Sequence, residues 1–179
     1  ASADPSNAPN SLPVMISCSN GHTYEAVTNG GGNANEAFLG AGDDFAIGGQ
    51  GADAVFGDSG DDWMEGGDQP DLLIGDSSTL FFDDHNLPGN DILIGQGGDD
   101  DYDTEGGDDI MVAGPGVEKN AGASGYDWSI GLNDPQAQNA DLNLKIIAGG
   151  APANEVRDRF NEVEALSGWN LDDTLKGDD

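Results

Sequence analysis

The chain has 179 residues and carries 35 acidic side chains against 5 basic ones, a formal charge of −30. Such a polypeptide repels nucleic-acid phosphates and anionic membranes and attracts cations. It has no apolar run near the ~18 residues of a membrane span, and its single cysteine, Cys18, rules out an internal disulfide framework. Two readings of the acidity compete. The chain is disordered, or it folds once cations neutralise it. Its 29 glycines are many, yet the apolar residues between them recur at fixed places. Disorder does not require that regularity, so the second reading gains.

Residues 1–11 read as a polar linker without the charged and apolar regions of a signal peptide. LPVMIS (12–17) and HTYEAV (22–27) are short strand candidates, joined around Asn20-Gly21 by a hairpin-like signal. From residue 39 to residue 112 the chain is organised in units of nine: LGAGDDFAI, GGQGADAVF, GDSGDDWME, GGDQPDLLI, an interrupted unit ending GNDILI, then GQGGDDDYD and TEGGDDIMV. Glycines come early in each unit, an aspartate sixth and an apolar residue eighth. The sixth-place acids are Asp44, Asp53, Asp62, Asp71, Asp91, Asp100 and Asp109. Their spacings are 9, 9, 9, 20, 9 and 9, so one repeat carries an extra 11 residues. The insert is assigned to 77–88 and contains Phe81, Phe82, Asp83, Asp84 and His85. Degenerate units flank the array, with Asn35 and Glu118 in the sixth place. Beyond them, 126–130, 142–147 and 160–166 are apolar-periodic, and a short helix around 155–160 leading into a strand is expected.

Each unit alternates a six-residue turn with a strand of about three residues. Gly40, Gly42, Gly49, Gly51, Gly57, Gly60, Gly67, Gly98 and Gly107 let the turns bend and bring carbonyls together. A period of two aims the eighth-place side chains one way. Two units then make one coil, and coils stack at the strand spacing of ~4.8 Å. Alternate aspartates form two columns: Asp44, Asp62, Asp91 and Asp109 along one edge, Asp53, Asp71 and Asp100 along the other. Bare carboxylates at that spacing repel by roughly 1 kcal/mol per neighbouring pair in water, and several-fold more at a protein-like dielectric. A dication between successive turns reverses the sign. The oxygen-only ligands at flexible positions suit Ca²⁺ better than Zn²⁺ or Mg²⁺.

This pattern resembles the RTX (haemolysin-type) nonapeptide family, whose repeat G-G-x-G-x-D-x-U-x binds calcium. GGQGADAVF (48–56) matches at every fixed place, whereas GGDQPDLLI puts Gln69 and Pro70 before Asp71, where altered calcium geometry is expected. The resemblance implies an all-β, right-handed parallel β-roll, with several Ca²⁺ ions held by the seven aspartates and nine glycines named above. It also implies calcium-dependent folding and bacterial type I secretion to the outside of the cell. A second resemblance lies in the tail. GYDWSIGLNDPQAQNADLNL (125–144) and DRFNEVEALSGWNLDDTLKGDD (158–179) are similar to segments of large secreted bacterial peroxidases of the animal-haem type that carry RTX repeats. These segments hold no catalytic motif.

Other constellations are weaker. Asp99 onward fails as an EF-hand loop, because Thr104 and Ile110 stand where glycine and glutamate belong. Cys18 and His22 lack a second ligand pair for zinc, and His85 lacks a nucleophile or a second histidine. The expected organisation is a linker and capping strands over 1–29, a calcium-binding roll of roughly four coils over 30–120, and a β-rich flank over 121–179. That flank ends in DDTLKGDD, read as the start of a further repeat in a longer protein. Expected partners are calcium ions and neighbouring domains of the same longer chain, with no nucleic acid and no membrane span; the fragment itself is read as non-catalytic. A surface adhesin stiffened by calcium is the alternative function. Many outward seventh- and ninth-place residues are apolar, among them Phe45, Ile92 and Ile110. The flanking strands (12–27 and 126–147) or a neighbouring domain are expected to cover that face.

Overall fold

Within the uninterrupted repeats eighteen residues separate each strand from the strand stacked upon it, because consecutive nine-residue units alternate between two sheets. The computed structural model describes residues 15–17, 25–30, 34–76, 88–146 and 157–178. All its named elements are strands; no helix occurs among the described residues. Sheet 1 stacks Met15–Ser17, Glu36–Phe38, Ala54–Phe56, Leu72–Ile74, Asp101–Asp103, Lys119–Ala121 and Arg159–Asn161. Sheet 2 stacks Glu25–Gly30, Phe45–Gln50, Trp63–Asp68, Ile92–Gly97, Ile110–Ala113, Trp128–Gly131 and Ala165–Ser167. Every pairing is parallel, and the register sets each unit's seventh place on the seventh place of the next coil: Phe45 on Trp63, Trp63 on Ile92, Ile92 on Ile110, Ile110 on Trp128. This is a parallel β-roll. The extra residues near 77–88 leave the register intact, since Trp63 still meets Ile92 and Leu72 still meets Asp101. A small pair, Asn139–Asp141 with Thr174–Lys176, stands outside the two main sheets.

Eighth-place side chains fill the space between the sheets, one per strand: Ala37, Ala46, Val55, Met64, Leu73, Leu93, Tyr102, Met111 and, further on, Phe160 are all buried. The Tyr102 hydroxyl accepts from Gly95 N (2.9 Å) and donates to the Val112 carbonyl (3.0 Å), so its polar end is satisfied inside the roll. One coil further the core turns polar. Asn120 and Ser129 occupy the eighth places there, and the Ser129 hydroxyl donates to Asn120 Oδ1 at 3.2 Å.

Several sequence expectations are corrected. Met15–Ser17 and Glu25–Gly30 form no hairpin; each joins a different sheet through parallel pairing. The helix expected around 155–160 is replaced, where the chain is described, by the strand Arg159–Asn161, whose Phe160 stacks on Asn120. Of the candidate strand 142–147, the described residues 142–146 supply only an isolated bridge from Lys145 to Phe160. Among the described residues each main sheet holds seven strands, more than four coils require. The described flanking strands do not cover sheet 2, because Glu25–Gly30 and Trp128–Gly131 join it within the same layer and Met15–Ser17 joins sheet 1. Trp63 and Trp128 on its outer face stay 40% and 39% exposed. On sheet 1 the outward ninth places differ: Phe56 and Ile74 are buried, and Phe38 stacks on Phe56 with ring centroids 4.6 Å apart. Cys18, His22, Phe81, Phe82, Asp83, Asp84 and His85 lie outside the described residues.

Candidate metal centre

Each sixth-place aspartate stands at the end of a turn, just before its strand, so the stacking of strands also stacks the carboxylates. Main-chain hydrogen bonds tie them into two ladders. Along one edge the backbone N–H of Asp44 donates to Asp62 Oδ1 (2.7 Å), that of Asp62 to Asp91 (2.8 Å) and that of Asp91 to Asp109 (2.7 Å). Along the other edge Asn35 donates to Asp53 (2.7 Å), Asp53 to Asp71 (2.7 Å) and Asp71 to Asp100 (2.8 Å). All seven aspartates are buried and fall into the two columns expected from their spacing.

One oxygen of each remains. The Oδ2 atoms of Asp53, Asp62, Asp71, Asp91, Asp100 and Asp109 are buried and have no hydrogen-bond partner. Each of the first five faces the glycine that opens its turn, so a Cβ there would collide with it: Gly48 for Asp53, Gly57 for Asp62, Gly66 for Asp71, Gly75 for Asp91 and Gly95 for Asp100. At Gly48 and Gly57 the same space also meets a carbonyl oxygen of the next coil, from Gly66 and Gly75 respectively. Acceptors therefore converge on acceptors. Desolvation, the largest cause, pushes the carboxyls up, to about 6 for Asp100 and Asp109, about 7 for Asp62 and Asp71, and about 9 for Asp91. Hydrogen bonds from backbone N–H groups oppose the shift without cancelling it.

This arrangement fits a hard dication. Unpartnered buried acceptors are rare and costly, and leaving an ion in such a setting without a partner costs several kcal/mol. A core of one side chain per strand, at ~1.5–3 kcal/mol for each large residue, does not carry six such penalties together with the backbone ordering. Among the described residues no three acidic, histidine or cysteine side chains cluster closely enough to hold a metal by themselves. Main-chain carbonyls must complete the shell, as calcium accepts and zinc does not.

Comparison with known families places matches to the RTX calcium-binding nonapeptide repeat, in four copies, at residues 29–64, 38–73, 56–78 and 87–111. The chain carries RTX repeats, and its cofactor is calcium. No curated protein and no solved structure matches it.

The RTX turns use their glycines in two ways. Gly40, Gly42, Gly49, Gly51, Gly60, Gly67, Gly98 and Gly107 all have positive φ, between 96° and 157°. Gly57 does not; it is the one whose missing Cβ leaves room for Asp62 Oδ2. Where the repeat departs from glycine, the backbone keeps the left-handed shape: Asp58 has φ 76°, Gln69 φ 84°, Gln96 φ 71° and Glu105 φ 65°. Gln69 and Pro70 thus leave Asp71 in its column. Since a side chain in this region costs about 1–2 kcal/mol, Asp58→Gly is expected to raise the calcium-saturated melting temperature by a few degrees; an unchanged or lowered midpoint in a thermal scan contradicts it.

The ladders run further than the recognisable repeats. Asp109 N–H donates to Asp127 Oδ1 (3.1 Å), Asp127 N–H to Glu164 Oε2 (2.9 Å) and Glu118 N–H to Asp158 Oδ1 (3.1 Å); in the separate small pair Gln138 N–H donates to Asp173 Oδ1 (2.8 Å). Sequence reasoning missed Asp127, Asp158 and Glu164 as members of the columns, and Asp173 as the matching acid of the separate small pair. For Asp127 the signal was present: GASGYDWSI (122–130) keeps glycine first and fourth and aspartate sixth, 18 residues after Asp109. Asp76, also missed, is buried at the base of the insert and accepts from Gly89 N (2.8 Å) and Gly106 N (2.9 Å).

Proposed function

We propose that this RTX roll is a calcium-triggered folding module of a larger exported protein. In this reading Asp44, Asp53, Asp62, Asp71, Asp91, Asp100 and Asp109 supply the side-chain ligands. The turn glycines Gly40, Gly42, Gly49, Gly51, Gly57, Gly60, Gly67, Gly98 and Gly107 shape the turns and open them to carbonyl oxygens. The observation that carries the proposal is the buried rows of carboxylate oxygens without hydrogen-bond partners. At low calcium their mutual repulsion and desolvation keep the chain open; at high calcium the ion's binding free energy becomes folding free energy. A chain with that property passes an export channel unfolded and orders outside the cell, which supports secretion by the type I route. The similarity of 125–144 and 158–179 to segments of RTX-bearing secreted peroxidases supports a haem peroxidase as the parent. No helix is long and apolar enough to cross a membrane among the described residues.

A calcium titration followed by far-ultraviolet circular dichroism tests the proposal. The β signal is expected to appear cooperatively with calcium, to vanish with excess chelator, and to return little with magnesium at equal concentration. Full β signal in excess chelator at neutral pH would refute it.

A further inference from the structure

Beyond the recognisable repeats, Glu118 has an unusual setting. It is 1% exposed; no well-formed hydrogen bond reaches Oε1 or Oε2, and the Asp158 carboxyl and its own backbone N–H act on its carboxyl. Its nearest acidic neighbour in the ladder is Asp158, 40 residues away in sequence but one coil away in space, because Lys119–Ala121 pairs in register with Arg159–Asn161. The Glu118 backbone N–H donates to Asp158 Oδ1 at 3.1 Å, and Arg159 N–H returns a bond to the Glu118 carbonyl at 2.9 Å. Two carboxylates thus approach where the C-terminal segment joins the roll.

The extra methylene of glutamate changes where the oxygen goes. In the aspartate turns, Oδ2 occupies the space beside the first glycine; at Glu118, Oε1 lies instead beside Gly116, the fourth residue of its unit, in space shared with the Gly98 carbonyl. A carboxylate oxygen and a carbonyl oxygen, both acceptors, therefore converge. A cleft of about 430 Å³ adjoins this point, lined by Gly116, Val117 and Asp158, with Asp99 and Asp134 adding two further acids. Arg157 bonds Asn139 through Nε (2.7 Å) and Nη2 (3.0 Å) and acts on Asp158 through its charge. Asp158 is only partly buried, so water can complete a coordination shell, which calcium tolerates in irregular sets.

We propose that Glu118, Asp158 and the Gly98 carbonyl hold a calcium ion of their own, and that this ion fastens residues 157–178 to the end of the repeat array. The proposal rests on the calcium-folding reading above. It adds a ligand set that the nonapeptide pattern does not specify, and it joins two segments rather than neighbouring repeats. Trp128 reports on that junction, since its Nε1 donates to Ser167 Oγ at 3.0 Å.

The test compares calcium bound per chain, measured on the whole protein at saturating calcium, for the wild type, E118Q and D158N. Each variant is expected to hold one ion fewer while keeping the far-ultraviolet β signal of the repeats, and to show altered tryptophan emission. An unchanged ion count in a folded E118Q or D158N overturns the proposal and leaves the pair bridged by a proton. A second measurement needs no variant. In wild-type crystals grown with calcium, anomalous scattering is expected to show a peak between the Glu118 carboxylate and the Gly98 carbonyl. No peak there, with ions present in the aspartate columns, overturns this site alone; no ions anywhere overturns the calcium reading itself.

Discussion

Asp62→Ala is expected to raise the calcium concentration needed for folding by roughly tenfold or more, at least the loss that follows removal of a group merely supporting a metal ligand. Asp62 is a central rung. Its Oδ1 holds the Asp44 N–H at 2.7 Å, its own N–H holds Asp91 at 2.8 Å, and its Oδ2 lies buried beside Gly57 and the Gly75 carbonyl. Alanine removes a carboxylate from the column and strands a buried backbone donor, a further cost of about 1–3 kcal/mol. Asp84→Ala, in the insert, serves as the comparison and is expected to shift the midpoint far less. Calcium titrations of both variants by circular dichroism decide the matter: equal shifts would mean that position within the column carries no special weight.

The second large effect is a pH dependence whose sign depends on calcium. In the metal-free folded chain, burial raises the carboxyls of Asp100 and Asp109 to about 6, Asp62 and Asp71 to about 7, Asp127 to about 8 and Asp91 to about 9, from an ordinary 3.8. A group whose folded value lies above its unfolded one stabilises the fold fully below the unfolded value, and that contribution is lost as pH rises through the folded value. With chelator present, the β signal is therefore expected to strengthen as pH falls from 9 towards 5, protons taking over the neutralising role. With calcium present, protons compete for the same oxygens, so the calcium midpoint should rise as pH falls. A chelated chain whose β content stays flat over that range would show that the buried carboxylates are not what holds it open.

The columns were legible because nine residues and a two-layer stack leave each sixth place one neighbour, 18 residues on, and because an insertion between strands does not change a register set by side chains facing inward. Asp91 and Asp100 therefore fall in line despite the 29-residue offsets. What escaped was pairing decided at a distance. Asn20-Gly21 carries a local turn signal, but parallel pairing leaves no local mark, so Met15–Ser17 and Glu25–Gly30 went to opposite sheets unannounced. Phe160, Val163 and Leu166 have helical spacing, yet Phe160 is claimed by a strand 40 residues earlier. Asp127 was overlooked because the unit before it places Glu118 and Asn120 in the sixth and eighth positions, which reads as an end when it is a coil with a polar interior.

Stacking of this kind has a mechanical corollary. Each coil of the two seven-stranded sheets pairs only with the coils immediately above and below it, so order spreads along a line instead of condensing throughout a volume. A polypeptide emerging gradually through a narrow opening gains its structure in instalments, and each completed coil is a template that hinders backward slippage.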